Sequence, residues 1–190
     1  MNHIRTPLFT LALAAISVGA CSTTSNESNN PTAERKSIDA SVDASLDKLY
    51  REAPGSRELI GRAKGVLVFP SVVSAGFIVG ASYGKGELLA GTQSAGYYST
   101  AAGSVGLLAG AESKSVFVLF MTQQAYDQFV ASQGWTAGVD ASVTLINMGA
   151  DGSIDTRTAN TAAVESLVLN NGGLMANLSI DGTKFTRLSL

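Results

Sequence analysis

Cys21 is the one thiol and His3 the one imidazole in the 190-residue chain, so side chains able to act as nucleophile, general base or soft metal ligand are few. Cys21 follows the small residues Val18-Gly19-Ala20. These close a segment with a polar start, Met1–Arg5, and an uncharged run rich in Leu and Ala from Leu8 to Val18. A charged start, a short apolar run and small residues before the cleavage point describe a secretory signal over residues 1–20, too short to span a bilayer as a helix. Its removal discards His3 and Arg5 and leaves 170 residues beginning at Cys21. That remainder holds no histidine and no thiol besides Cys21, which excludes a Ser-His-Asp triad, a Cys-His pair and a zinc site built from His and Cys. Paired carboxylates would still permit acid–base hydrolysis, because they need only two acids a few ångströms apart. No cofactor motif is present, and the chain is read as a non-enzyme.

The densest charge is basic. Lys48, Arg51, Arg57, Arg62 and Lys64 stand against Glu52 and Glu58, a net of +3, whereas the chain from Gly65 onward carries five basic and eight acidic residues, a net of −3. Without Arg5 there are 12 basic and 15 acidic side chains, so no global positive field invites nucleic acid. Two readings of the cluster stay open. It meets anionic lipid head groups, each basic residue contributing about 1 kcal/mol at such a surface, or it is a solvated helix face with the i, i+4 pairs Asp47–Arg51 and Glu58–Arg62. The acids Glu34, Asp39, Asp43 and Asp47 would weaken a patch that shared their face.

Three further patterns have plain explanations. Gly80-Ala81-Ser82-Tyr83-Gly84-Lys85-Gly86 has three residues between its first glycines where a phosphate loop needs four, and Gly86 where that loop needs Ser or Thr, so a turn is expected. Asp140, Asp151 and Asp155 match no calcium-loop spacing, and no metal is expected. Tyr97, Tyr98 and Trp135 are read as core or rim packing in preference to a lipid-tail groove.

These residues must be positioned by a single domain. Ser22–Asn30 is polar and without periodicity, a tether reaching about 30 Å when extended. Asn30-Pro31 reads as a cap with proline at the first helical position. Ile38, Val42, Leu46, Leu49 and Ala53 then form one stripe of a helix running to about Glu52. Pro54-Gly55 ends it, and Ser56 is expected to cap a second helix over Arg57–Ala63 with Leu59 and Ile60 turned inward. Strand character follows at Val66–Phe69 between Gly65 and Pro70, at Ala75–Ser82, Glu87–Ala90, Gly96–Ser99, Gly103–Ala111 and Ser115–Met121. Thr122 caps a helix over Gln123–Ser132, and strands return at Ala137–Asn147, Ala163–Leu169, Leu174–Ile180 and Thr183–Leu188. Asn171-Gly172 and Asp181-Gly182 are hairpin signals. The expected class is α+β, with N-terminal amphipathic helices packed on a glycine-rich, mainly antiparallel sandwich or barrel and one inserted helix. Glycine inside strands implies bulges, tight bends or close backbone approach.

Val18-Gly19-Ala20-Cys21 resembles a bacterial lipobox, in which the thiol is diacylated, the leader removed and the new amino terminus acylated. Each buried methylene contributes about 0.8 kcal/mol, and two chains anchor stably. Ser22 after the cysteine, in place of Asp, implies by the same resemblance an outer-membrane location facing periplasm or cell surface.

Ala63-Lys64-Gly65-Val66-Leu67-Val68-Phe69-Pro70, Ala75-Gly76-Phe77-Ile78-Val79-Gly80 and Gly84-Lys85-Gly86 resemble the opening of the SYLF domain. Gly138-Val139-Asp140-Ala141-Ser142-Val143 is similar to its central segment, and Asn171-Gly172-Gly173-Leu174-Met175-Ala176-Asn177-Leu178 to its closing one. The likeness spans about residues 34–190 within an expected domain of residues 31–190; Tyr97-Tyr98-Ser99-Thr100 departs from the family's Trp-Ser-Pro-type segment. The resemblance implies a lipid-binding module. Eukaryotic members bind phosphoinositides through an N-terminal amphipathic basic helix, and some yeast members bind actin. For a secreted lipoprotein the implied partner is membrane phospholipid, with anionic head groups favoured, and not actin. The alternative is a structural or protein-interaction lipoprotein of the envelope.

Overall fold

Asn30 starts the first helix by the chemistry its position allows. The computed structural model describes residues 30–76, 79–105, 110–146, 153–154, 162–170, 173–174 and 180–190. Asn30 has extended backbone, and its Oδ1 accepts from the N–H of Thr32 at 3.1 Å and of Ala33 at 3.4 Å. Pro31 follows where a missing N–H costs nothing. Helix α1 runs Pro31–Glu52, and Ile38, Val42 and Leu49 are buried along the expected stripe with Ala53 just past its end. Helix α2, Ser56–Arg62, buries Leu59. Ser56 is its first residue and not its cap; Gly55 holds that position without a side-chain bond, and Ser56 Oγ is buried with no hydrogen-bond partner among the described residues.

The glycine-rich middle forms long strands where short ones were expected: β1 Gly65–Gly76, β2 Val79–Ala90, β3 Gln93–Val105 and β4 Gly110–Phe120. Pro70 does not end β1. The ladders on both sides of β1 shift register around it, so proline sits in a bulge, where its lack of an N–H is tolerated. Gly86 faces that bulge from β2, and a Cβ there would lie 2.1 Å from the carbonyl oxygen of Val68. Glycine here permits close backbone approach and does not break the strand. The segment Gly80–Gly86 therefore lies inside β2, not in the expected turn and not in a phosphate loop.

Helix α3, Gln123–Ala131, is capped by Thr122, whose Oγ1 accepts from the Ala125 N–H at 3.2 Å. Then come β5 Trp135–Thr136, β6 Thr144–Leu145, β7 Val164–Asn170, β8 Gly173–Leu174 and β9 Lys184–Arg187. The strand expected over Ala137–Asn147 shrinks to β6, because Gly138 at φ 79° opens a tight loop in which Asp140 Oδ2 accepts from the Thr136 N–H at 2.6 Å. β8 pairs antiparallel with β7, flanking Asn171-Gly172, which lie outside the described residues; of the strand expected over Leu174–Ile180, residues 175–179 also lie outside them. Asp181-Gly182 is a turn, and among the described residues β9 after it pairs with β3 and β5.

All this is one mainly antiparallel curled sheet, an open half-barrel of order β5-β9-β3-β2-β1-β4-β7-β6 with β8 on β7; among the strand pairs of the described residues β6–β7 is the parallel one. The chain is α+β, as expected. Alternation sends Val66 and Val68 of β1 to one face and Leu67 and Phe69 to the other. The first face is covered by α1 and α2 with Ile146 and Ile154, the second by α3 and an aromatic group of Tyr98, Phe120, Phe129, Trp135 and Phe185. The sheet is thus buried on both sides of its lower half. No helix among the described residues is long and apolar enough to cross a membrane.

Candidate functional site

The five clustered cations do not act as a unit. Lys48 turns inward across the sheet, its Nζ donating to the backbone oxygen of Asn170 at 3.0 Å and lying 3.8 Å from Glu52 Oε1. Arg51, near the end of α1, and Arg57 and Arg62 of α2 are exposed, as is Lys64 just before β1. The guanidinium of Arg57 sits 4.0 Å from the centroid of the Tyr50 ring, which ties α2 to the end of α1. The expected pairs Asp47–Arg51 and Glu58–Arg62 do not form; among the described residues the ion pairs are Lys48–Glu52 and Lys85–Glu34. Four exposed cations therefore occupy the corner between α1 and α2, none within ion-pair distance of an acid among the described residues.

The acids of α1 lie mostly elsewhere. Glu34 pairs with Lys85 of β2, and Asp39 Oδ1 accepts from the Tyr97 hydroxyl of β3 at 2.8 Å. Asp39 and Asp43 both act on Glu87 of β2, which is 4 % exposed. Burial holds the Glu87 carboxyl above the ordinary carboxylate range; the negative charges of Asp39 and Asp43 add to this, and a hydrogen bond with the Ser94 side chain opposes it. Glu87 and the fully buried Glu165 of β7 went unremarked in the sequence. The period-2 alternation Lys85, Glu87, Leu89 was the signal for Glu87, masked because Gly86 read as the end of a turn.

Tyr98 and Trp135 are each 3 % exposed and stack within the aromatic core, and Tyr97 packs beneath α1, in line with a packing role. Asp140 serves its own loop; Asp151 and Asp155 lie outside the described residues, as does Cys21. Among the described residues no three acids, histidines or cysteines gather as a metal site would require.

No curated protein matches the chain. Residues 101–189 match the family model described as Ysc84, Las17-binding protein actin regulator. The matched part runs from the second half of β3 to the end of the chain and includes Gly138–Val143, while the segment from Ala63 to Gly86 precedes it. Residues 101–189 accordingly carry a domain of the Ysc84 family, the SYLF domain.

Proposed function

We propose that this chain is an outer-membrane lipoprotein, anchored by acyl chains on Cys21, whose SYLF domain binds anionic phospholipid without catalysis. The observation that carries the reading is the corner of four exposed cations, Arg51, Arg57, Arg62 and Lys64, none within ion-pair distance of an acid among the described residues. Near an anionic bilayer each contributes about 1 kcal/mol, so four together give binding that ordinary salt weakens but does not abolish. Membership in a family of lipid-binding domains supports the same conclusion. Lys48, held by Asn170 and Glu52, stands apart from this corner. Secretion removes the chain from actin, which has no part in the proposal.

The test is flotation of residues 22–190, unacylated because Cys21 is absent, with vesicles of graded phosphatidylglycerol content at low and high salt. Salt-sensitive binding that rises with anionic content is expected. Joint reversal of Arg51, Arg57 and Arg62 to Glu should lower it by well over tenfold, at about 1 kcal/mol per lost charge. Equal binding by the reversed protein would refute the assignment, and no binding to any vesicle would favour an envelope protein whose partner is another protein.

A further inference from the structure

The four long strands extend beyond what the helices cover. α1 crosses them, touching β3 and β2 near its start through Tyr97–Asp39 and Lys85–Glu34, and β7 farther on through Lys48–Asn170. Past that line the same face of the sheet continues. Val73 stands opposite Tyr83, Tyr83 opposite Ala101, and Ala75 opposite Ala81, with Val79 two residues before Ala81. Directly opposed residues and residues two apart share a face. All six are exposed and none is charged. Val79 at 70 %, Tyr83 at 51 % and Val73 at 50 % are three of the four large apolar side chains most open to solvent among the described residues. Where this shelf meets α1, a cleft of about 270 Å³ is bordered by Lys48, Lys114, Ser113 and Ser115. An exposed apolar floor of this kind is a patch that marks an interaction surface.

We propose that this shelf is the surface that enters the head-group layer of an anionic phospholipid bilayer. The inference rests on the lipid-binding reading and names a surface that reading does not contain. Two observations select lipid as the occupant. Tyr83, with an apolar ring and a polar tip, is a side chain suited to the bilayer interface. The chain enters α1 at the shelf's edge, since Glu34, four residues after Asn30, pairs with Lys85. Cys21 lies nine residues before Asn30, so an acyl anchor there is within about 30 Å of the shelf. The stripe of α1 is unavailable for the task, because Ile38, Val42 and Leu49 are buried against the sheet.

The experiment uses the protein from residue 21 onward, both acylated and as Cys21→Ser, with Tyr83→Trp as reporter and vesicles of phosphatidylglycerol brominated on its acyl chains. Trp135 is buried in the opposite face and supplies an unquenched background. Quenching of the residue 83 signal is expected in both forms. Val79→Glu should weaken binding of the unacylated protein about tenfold, while Val139→Glu, an equally exposed apolar position away from the shelf, should leave it unchanged. Salt-sensitive binding without quenching at residue 83, or with Val79→Glu bound as tightly as the parent, would overturn the shelf and leave the cationic corner standing. A dimer in solution that Val79→Glu dissociates would overturn it in favour of a second copy. Absence of vesicle binding together with no quenching in the acylated form would remove both readings.

Discussion

Burial beneath α1 and the charges of Asp39 and Asp43 both disfavour an ionised Glu87, and the Ser94 hydrogen bond offsets only part of this. The unfolded chain releases that proton in the ordinary carboxylate range, the folded chain at higher pH. Between the two the folded state binds more protons, so the stability this group contributes is complete below the ordinary range and is lost as pH rises through the raised value. Glu87→Gln should therefore match the parent protein in thermal melts at acid pH and exceed it at neutral pH. Melting curves that differ by a constant amount across that window would sink the idea. Gly138 poses a steric question. Its φ of 79° is strained for any residue with a Cβ, and that Cβ would lie 2.7 Å from Asp181 Oδ1. The loop it opens is tied back by the Gly182 N–H to the Ala137 oxygen at 2.8 Å and the Ala137 N–H to the Thr183 oxygen at 3.0 Å. Gly138→Ala is expected to cost about 1–3 kcal/mol in urea unfolding.

Helix α1 owes its place to packing more than to intrinsic helicity. Leu49 is fully buried between α1 and the sheet, and Leu49→Ala should destabilise by about 2–5 kcal/mol, read by denaturant midpoint. Removing the cap with Asn30→Ala should cost only about 1 kcal/mol, because the helix stays docked. The same packing argues against α1 leaving the sheet to insert into lipid, since that exposes the face beneath it. The two longer helices were legible because a 3.6-residue stripe and a capping side chain coincide: Asn30 with Ile38, Val42 and Leu49, and Thr122 with Ala125 and Phe129. The strands were not. Gly80, Gly84 and Gly86 carry the signals of turns, and only the approach of Val68 to Gly86 across the ladder shows that they lie inside one strand. β9 pairs with β3 far away in sequence, which no local turn signal announces. The candidate site was half legible for a related reason. Proximity in sequence gathered Lys48 with the arginines, but helical rotation aims Lys48 at Asn170 and leaves Arg51 in solvent. The shelf was hidden, because chopping β1 and β2 into short pieces separates Val73 from Tyr83, its partner across the ladder.

At the scale of the whole molecule the two proposed lipid contacts lie on one side of the sheet. The shelf is the uncovered part of the face on which α1 and α2 pack, and the cationic corner is the exposed end of that helical layer. A helix layer about 10 Å thick beside a shelf about 13 Å long leaves a slope that one bilayer can follow, with Arg51 and Val79 both in contact. Two contacts on one bilayer contribute independently when no residue is shared between them, so their losses combine as free energies and the fold-changes multiply. A protein joining Val79→Glu to the Arg51, Arg57 and Arg62 reversals should thus bind anionic vesicles more weakly than either parent variant, by the product of their separate losses. Vesicle turbidity should stay low with every one of these proteins, because no second membrane is engaged. If the parent protein instead clusters vesicles, and either set of substitutions alone abolishes clustering while leaving much of the binding intact, the shelf and the corner hold two separate bilayers. The domain would then be a bridge between membranes, and its tether at Cys21 would fix which of the two contacts belongs to the membrane it is anchored in.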